Sequence, residues 1–177
     1  IDPYAYQIER SYEPITVQDL TAMAGKPRSI DASIELARLS LAGTQNKCGL
    51  FHDPEAPLGD GWYQPVGGAP SNYIIKFARE DLRDLMIVEH LSLTCAAACG
   101  VPSAKTALLN PSRPIICVER YDRLGSASEV INGQVAPLRQ HQEDITQAFG
   151  IMPEAKYRQL EPSTVTVLAN FFRNSSA

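Results

Sequence analysis

Three places in the 177-residue chain put reactive or charged side chains where their chemistry needs an explanation. The first is the run Ser40-Leu41-Ala42-Gly43-Thr44-Gln45-Asn46-Lys47. It is neither the GxxxxGK[ST] loop of Walker-type nucleotide sites nor the GxGxxG loop of ordinary protein kinases. Its glycine, short polar side chains and closing lysine can still offer backbone N–H groups and one cation to a phosphate. A plain polar hairpin uses the same residue types. The second is Lys76, set inside the apolar run Tyr73-Ile74-Ile75-Lys76-Phe77. A lysine within a strand is costly to bury unless paired. Either it sits at an edge and reaches water along its apolar stem, or it pairs with a carboxylate on the following helix and faces a phosphate. The third is that carboxylate. Glu80, Asp81, Asp84 and Glu89 are the candidates, and Glu89 stands out because it ends the apolar stretch Leu85-Met86-Ile87-Val88. A Lys76–Glu89 pair accounts for both oddities at once. His141, beside Glu143-Asp144, reads as part of a helix start, where acidic residues favour the dipole. No nucleophile motif accompanies it.

These residues need elements to hold them. Tyr73–Phe77 has the β-branched and aromatic content of a strand. Asp81–Cys99 is the strongest helical stretch, with Leu85, Val88 and Leu91 near helical spacing, Gly100 as its stop and Pro102 just beyond. Residues 34–41 and 48–51 read as strands flanking the polar loop. Residues 52–71 hold closely spaced Pro and Asp-Gly signals and read as a long hairpin loop carrying a short Trp62-Tyr63 strand. Ala104–Leu109 and Ile115–Tyr121 read as two further strands, then Gly125–Gly133 as a polar hairpin-like loop. Helices are expected at Val17–Ala24 (Thr16 as N-cap, Asp19 in the first turn, Gly25 as the stop), at Glu143–Phe149 and at Ser163–Arg173. One long helix between strands of a mostly antiparallel sheet is an α+β layering. The expected organisation is an N-terminal arm at 1–33, a sheet-bearing lobe at 34–125, and the start of a helical lobe at 126–177.

Composition sets the outer bounds. Hydrophobic residues make up 44% and charged residues 20%, which suits a globular chain. The net charge of −4 argues against a dedicated nucleic-acid surface. No run approaches the length of a membrane-spanning helix. The start, Ile1-Asp2-Pro3-Tyr4, has no signal-peptide character, so a cytoplasmic setting is expected. Of the four cysteines, Cys95 and Cys99 fall on one face of the long helix and read as small buried residues. The ligands are too scattered for a zinc site.

Read together, the motifs resemble those of HipA-type kinases, the serine/threonine kinase toxins of bacterial toxin–antitoxin modules. Arg38 to Lys47 is similar to the motif R-[IVL]-S-[VL]-A-G-x-Q-x-K. Ile74-Ile75-Lys76 matches an I-I-K strand, and Glu89 to Gly100-Val101-Pro102 a helix ending in G-x-x-V-P, here two residues shorter. Val118-Glu119-Arg120-Tyr121-Asp122-Arg123 matches V-E-R-[FY]-D-R. His141-Gln142-Glu143-Asp144, then Gln147, Gly150 and Lys156-Tyr157, match H-Q-E-D-x-x-Q-x-x-G…K-Y. The five motifs follow one another in the family's order over about residues 36–177, and it is the order that makes the resemblance specific.

The resemblance implies a protein-kinase-like N-lobe leading into the first helices of a C-lobe. It implies that Ala42, Gly43, Thr44, Gln45, Asn46 and Lys47 wrap the phosphates of ATP, and that Lys76 holds the α- and β-phosphates with Glu89 as its ion-pair partner. Glu119, Arg120 and Tyr121 would form the adenine-contacting hinge. Ser40 aligns with a loop serine whose autophosphorylation ejects the loop, which like-charge repulsion beside ATP would favour. The implied partners are ATP with Mg²⁺, a protein substrate of the aminoacyl-tRNA synthetase class, and a DNA-binding antitoxin. The family's catalytic D-x-H-x-K-N and its later metal-binding Asp have no match after His141. The expectation is therefore the front part of such a kinase, inactive alone. The alternative is a non-catalytic interaction module built on a kinase N-lobe.

Overall fold

The computed structural model describes residues 9–24, 47–78, 83–110 and 114–150, and the helical residues Thr166, Ala169, Asn170 and Arg173 beyond them. In chain order the elements are β1 (Ser11–Ile15), α1 (Val17–Ala24), β2 (Lys47–His52), β3 (Trp62–Val66), β4 (Tyr73–Phe77), α2 (Arg83–Ala98), β5 (Thr106–Leu109), β6 (Ile115–Glu119), β7 (Arg123–Ile131), β8 (Gln134–Arg139) and α3 (Ile145–Ala148). The first six strands form one sheet in the order β1-β3-β2-β4-β6-β5, and β7 and β8 form a separate hairpin. Every pairing is antiparallel. Residues 1–140 and 141–177 are two compact units. The sheet, its hairpin, α1 and α2 lie in the first, and α3 in the second.

Local chemistry explains most of the boundaries. Thr16 caps α1: the Asp19 N–H donates to Thr16 Oγ1 at 3.1 Å, and the Thr16 N–H donates back to Asp19 Oδ2 at 2.9 Å. This is a capping box with Asp in the reciprocal position. α2 closes on Gly100, whose φ of 78° a side chain would resist. The Val101 N–H reaches back to Ala96 O at 2.9 Å and the Gly100 N–H to Ala97 O at 3.0 Å, a Schellman ending. α3 opens on Asp144, whose Oδ1 accepts from the Gln147 N–H at 2.9 Å while Gln147 Oε1 accepts from the Asp144 N–H at 2.8 Å. His141 stands outside this box, with Nε2 3.3 Å from Glu143 Oε1 at an exposed position.

Two strands differ from the sequence reading. Ser11–Ile15, within the segment expected as an arm, is the sheet's edge strand, with Tyr12 opposite Pro65 and Pro14 opposite Tyr63. A proline cannot exchange both bonds of a hydrogen-bonded pair, and facing pairs alternate between the two kinds. Both prolines therefore occupy non-hydrogen-bonded pairs. The nitrogen of Pro65 faces the side where β2 has stopped pairing with β3, past Phe51↔Tyr63. The nitrogen of Pro14 faces away from β3, on the side where no other described strand pairs. The second difference is Gly125–Gly133, expected as a loop, which is largely strand β7. Its turn is Asn132-Gly133, with φ of 48° and 80°, the residue pair that a two-residue hairpin turn favours.

The sheet buries both faces, and alternation along each strand assigns the residues. One face packs Cys48, Leu50, Trp62, Ile75, Phe77, Ile115 and Cys117 against Leu20 of α1. Trp62 anchors it: its Nε1–H donates to Leu58 O at 2.8 Å, and its ring meets His52 and Tyr73 at centroid distances of 4.5 and 5.3 Å. Burial pushes the Cys117 thiol up to about 12, with Cys48 adding to the shift, so it stays a thiol. The other face has two covers. α2 packs Met86 against Ala78, Ile116 and Val118 at one end. The β7–β8 hairpin packs Ile131 and Ala136 against Tyr12, Phe51 and Tyr63 at the other. Among the described residues no helix is long and apolar enough to cross a membrane.

α2 meets the sheet along a stripe other than the one its leucines suggest. Met86 is buried, Glu89 reaches Lys76, and His90 Nδ1 lies 2.8 Å from Thr106 Oγ1. The stripe of Leu85, Val88 and Leu91 is exposed. Cys95 and Cys99 are exposed as well, against the expectation that they are buried. They follow the leucine stripe, which the sheet-facing residues turn outward.

Candidate functional site

Between its two covers, the second face of the sheet carries Lys47 and Gly49 of β2 with Ile74 and Lys76 of β4. The register sets Lys47 opposite Lys76 and Gly49 opposite Ile74. Lys47, Ile74 and Lys76 are only partly buried. Across β4, Ile116 and Val118 of β6 lie opposite Lys76 and Ile74 and extend the same surface under α2.

Two lysines directly opposite one another on adjacent strands repel. Lys76 Nζ is paired with Glu89 Oε1, with side chains 21% and 23% exposed. This joins β4 to α2, as the two oddities in the sequence required. Lys47 feels its neighbour: burial first, then the Lys76 charge, hold its ammonium below the ordinary lysine range, with Glu89 opposing them. An anion bound here would relieve that repulsion, as charge-assisted hydrogen bonds do. Ser40, Ala42, Gly43, Thr44, Gln45 and Asn46 lie outside the described residues, as do Glu80 and Asp81.

The expected hinge leaves the far end of β6. The Glu119 N–H donates to Lys105 O and the Arg120 N–H to Asn72 O, both at 2.9 Å. Lys105 Nζ lies 3.5 Å from Glu119 Oε2, and the Tyr121 side chain is exposed. Arg120 turns back onto Asp122 with two parallel bonds, Nε to Oδ1 at 2.9 Å and Nη2 to Oδ2 at 2.8 Å. Arg123 Nη1 donates to the same Oδ2 at 2.5 Å. Burial alone would raise the Asp122 carboxyl, but the two guanidinium groups outweigh it and hold it below its ordinary 3.8.

This buried Asp122 network is the part of the site that the residue-by-residue reading missed. Its signal was present in Arg120-Tyr121-Asp122-Arg123: an acid between two arginines within four residues. The network has a pH signature. A carboxyl whose folded pKa lies below its unfolded value adds stability above the unfolded pKa and loses it as pH falls through the folded one. Thermal melts of the wild type should therefore drop more steeply below about pH 4 than those of Asp122→Asn, and run parallel to them above it. Equal slopes below pH 4 would show that the carboxylate is not held by the arginines.

Residues 39–177 match the family model of the HipA-like C-terminal domain. The chain is 36% identical over 143 residues to "Putative kinase Y4mE" of Sinorhizobium fredii (strain NBRC 101917 / NGR234), covering 80% of this chain and 31% of that protein. It also matches a chain in the solved complex of the Shewanella oneidensis MR-1 toxin–antitoxin proteins HipA and HipB with operator DNA. That match has a TM-score of 0.56 and 25% identity, over 85% of this chain and 33% of the other. The chain thus spans about a third of the length of these relatives. Residues 39–177 are well over half of the chain, and the chain therefore belongs to the HipA-like kinase family.

Proposed function

We propose that this chain is the nucleotide-binding front of a HipA-like serine/threonine kinase, holding ATP on the sheet face between α2 and the β7–β8 hairpin. The observation that carries the reading is the Lys76–Glu89 ion pair that joins β4 to α2, with Lys47 directly opposite Lys76 on β2. Two cations side by side on one partly buried sheet face suit a chain of phosphates. Lys76, fixed by Glu89, is aimed at the α- and β-phosphates, and Lys47 closes the loop that begins at Ser40. Glu119 and Tyr121 supply the backbone groups that face adenine, with Arg120 between them, at the opposite end of the same strands. In the complete protein, phosphoryl transfer is then mostly positioning and charge neutralisation.

Among the described residues no group of three His, Cys, Asp or Glu could hold a metal ion. The Mg²⁺ that accompanies ATP in such kinases would take its protein ligands from outside the described residues. The protein substrate, of the aminoacyl-tRNA synthetase class, the antitoxin partner and autophosphorylation at Ser40 belong to the same proposal. They rest on the family resemblance alone. For the partner, the HipA–HipB–DNA complex of the Shewanella relative is a precedent.

Titration calorimetry of the chain with ATP tests the reading. Saturable binding is expected with a Kd of about 1 μM to 1 mM, the range in which enzymes hold such substrates. Absence of saturable heat up to about 5 mM, beyond that range, would defeat it.

A further inference from the structure

The Asp122 network ties the hinge to the strands that carry the lysines, and no step of the nucleotide reading requires it to exist. Arg120, Asp122 and Arg123 are 11%, 6% and 8% exposed. Three charges buried together seldom improve stability over apolar residues of the same volume. Their bonds lead outward to one place. Arg120 Nη1 donates to Ser71 Oγ at 3.2 Å, and Arg123 Nε donates to Ser71 O at 2.7 Å. Ser71 is in turn locked in position. A Cβ at Gly49 would lie 2.7 Å from Ser71 Oγ, so the hydroxyl occupies space that only a glycine leaves. Its neighbour Asn72 is bound to β2 on both sides: Oδ1 accepts from the His52 N–H at 2.7 Å, and Nδ2 donates to His52 O at 2.7 Å. Asn72 O also accepts the Arg120 N–H.

We propose that Arg120, Asp122, Arg123 and Ser71 form a positioning clamp that fixes the hinge backbone against β2 and β4, so that the adenine end and the phosphate end of the site keep one separation. This rests on the nucleotide reading above. The clamp residues do not touch the nucleotide. They set where Glu119 and Tyr121 present their backbone groups relative to Lys76, and thereby select a ligand that carries both a base and a phosphate chain. A ligand with phosphates alone uses only the lysine end and does not sense the clamp.

The test compares ATP with inorganic tripolyphosphate by calorimetry on the whole chain. Asp122→Asn keeps the size of the side chain and removes the charge. It should weaken ATP about tenfold or more, as loss of a charged hydrogen-bond partner does, and leave tripolyphosphate within about twofold. Lys76→Ala should weaken both ligands. A general loss of folded protein lowers both affinities by the same factor, so the ratio of the two is the diagnostic quantity. Equal weakening of both ligands by Asp122→Asn, or of neither, overturns the clamp while leaving ATP binding by the wild type intact. A wild type that binds tripolyphosphate but not ATP overturns the nucleotide reading itself. If Asp122→Asn loses its fold by circular dichroism, Ser71→Ala decides instead. It removes one hydroxyl and keeps the three charges paired, and should weaken ATP alone by about threefold. No change in the ratio there rejects the clamp.

Discussion

Replacing Lys76 by alanine should weaken ATP binding by a factor of about 10 to 150, the range that follows from a hydrogen bond to a charged group worth about 1.5–3 kcal/mol. The effect should be large because Lys76 cannot be replaced locally. Its strand neighbours Ile75 and Phe77 point into the opposite core, and Lys47 stands on the adjoining strand, its pKa lowered by burial and by Lys76. The fold should tolerate the change. Glu89 remains 23% exposed and can turn to water, so thermal stability should fall by about 1 kcal/mol or less, as for a partly exposed pair. Calorimetry and a melting curve on one preparation separate the two effects. A Kd within about twofold of the wild type would remove Lys76 from the phosphate site.

Trp62→Ala should have the largest effect on stability, a loss of about 3–5 kcal/mol. The ring is 1% exposed and packs where β1, β2 and β3 converge over α1, between His52 and Tyr73. Removing it opens a cavity and also leaves Leu58 O without its donor. Against a total stability of about 5–15 kcal/mol, that is enough to leave much of the chain unfolded. Trp62 is the one tryptophan, so the variant is followed by circular dichroism in urea, while wild-type unfolding is also visible in fluorescence. A midpoint shift equivalent to less than about 1 kcal/mol would mean the ring is not packed as described.

Elements set by short-range chemistry were legible. β4 runs Tyr73–Phe77 as its residue types indicate, α1 begins after Thr16 as its cap dictates, and α2 ends at Gly100; the expected stop at Gly25 lies outside the described residues. The ion pair at Lys76 was legible for a related reason: a charge inside an apolar run on each of two consecutive elements calls for a partner, and the nearest such residues are each other's. Elements that owe their form to distant partners were not. Ser11–Ile15 contains a proline and a glutamate and looks like a loop until Tyr12 is seen stacked on Phe51 at 4.4 Å. Of the β7 side chains described, Ile131 meets the core, together with Ala136 of β8, so the strand carries little apolar signal. Its Asn132-Gly133 turn, however, was a signal that reading for polarity alone passed over. The facing stripe of α2 was misplaced because apolar spacing marks a helix without stating which side meets the sheet. There the contacts that decide are Met86, Glu89 and His90, two of them polar.

The prolines of β1 and β3 have a consequence for how this chain behaves in company. An unpaired outer strand is a template, and a second polypeptide can extend the sheet by docking along its row of donors and acceptors. At β1 that row is interrupted in the middle, because Pro14 has no hydrogen to offer and its ring occupies the approach. A strand arriving there can exchange both bonds with Tyr12 but finds an acceptor alone at Pro14. Among the described residues β1 thus ends the sheet, as a guard strand against polymerisation. Replacing Pro14 with a β-branched residue would restore the donor and turn the guard into a seed.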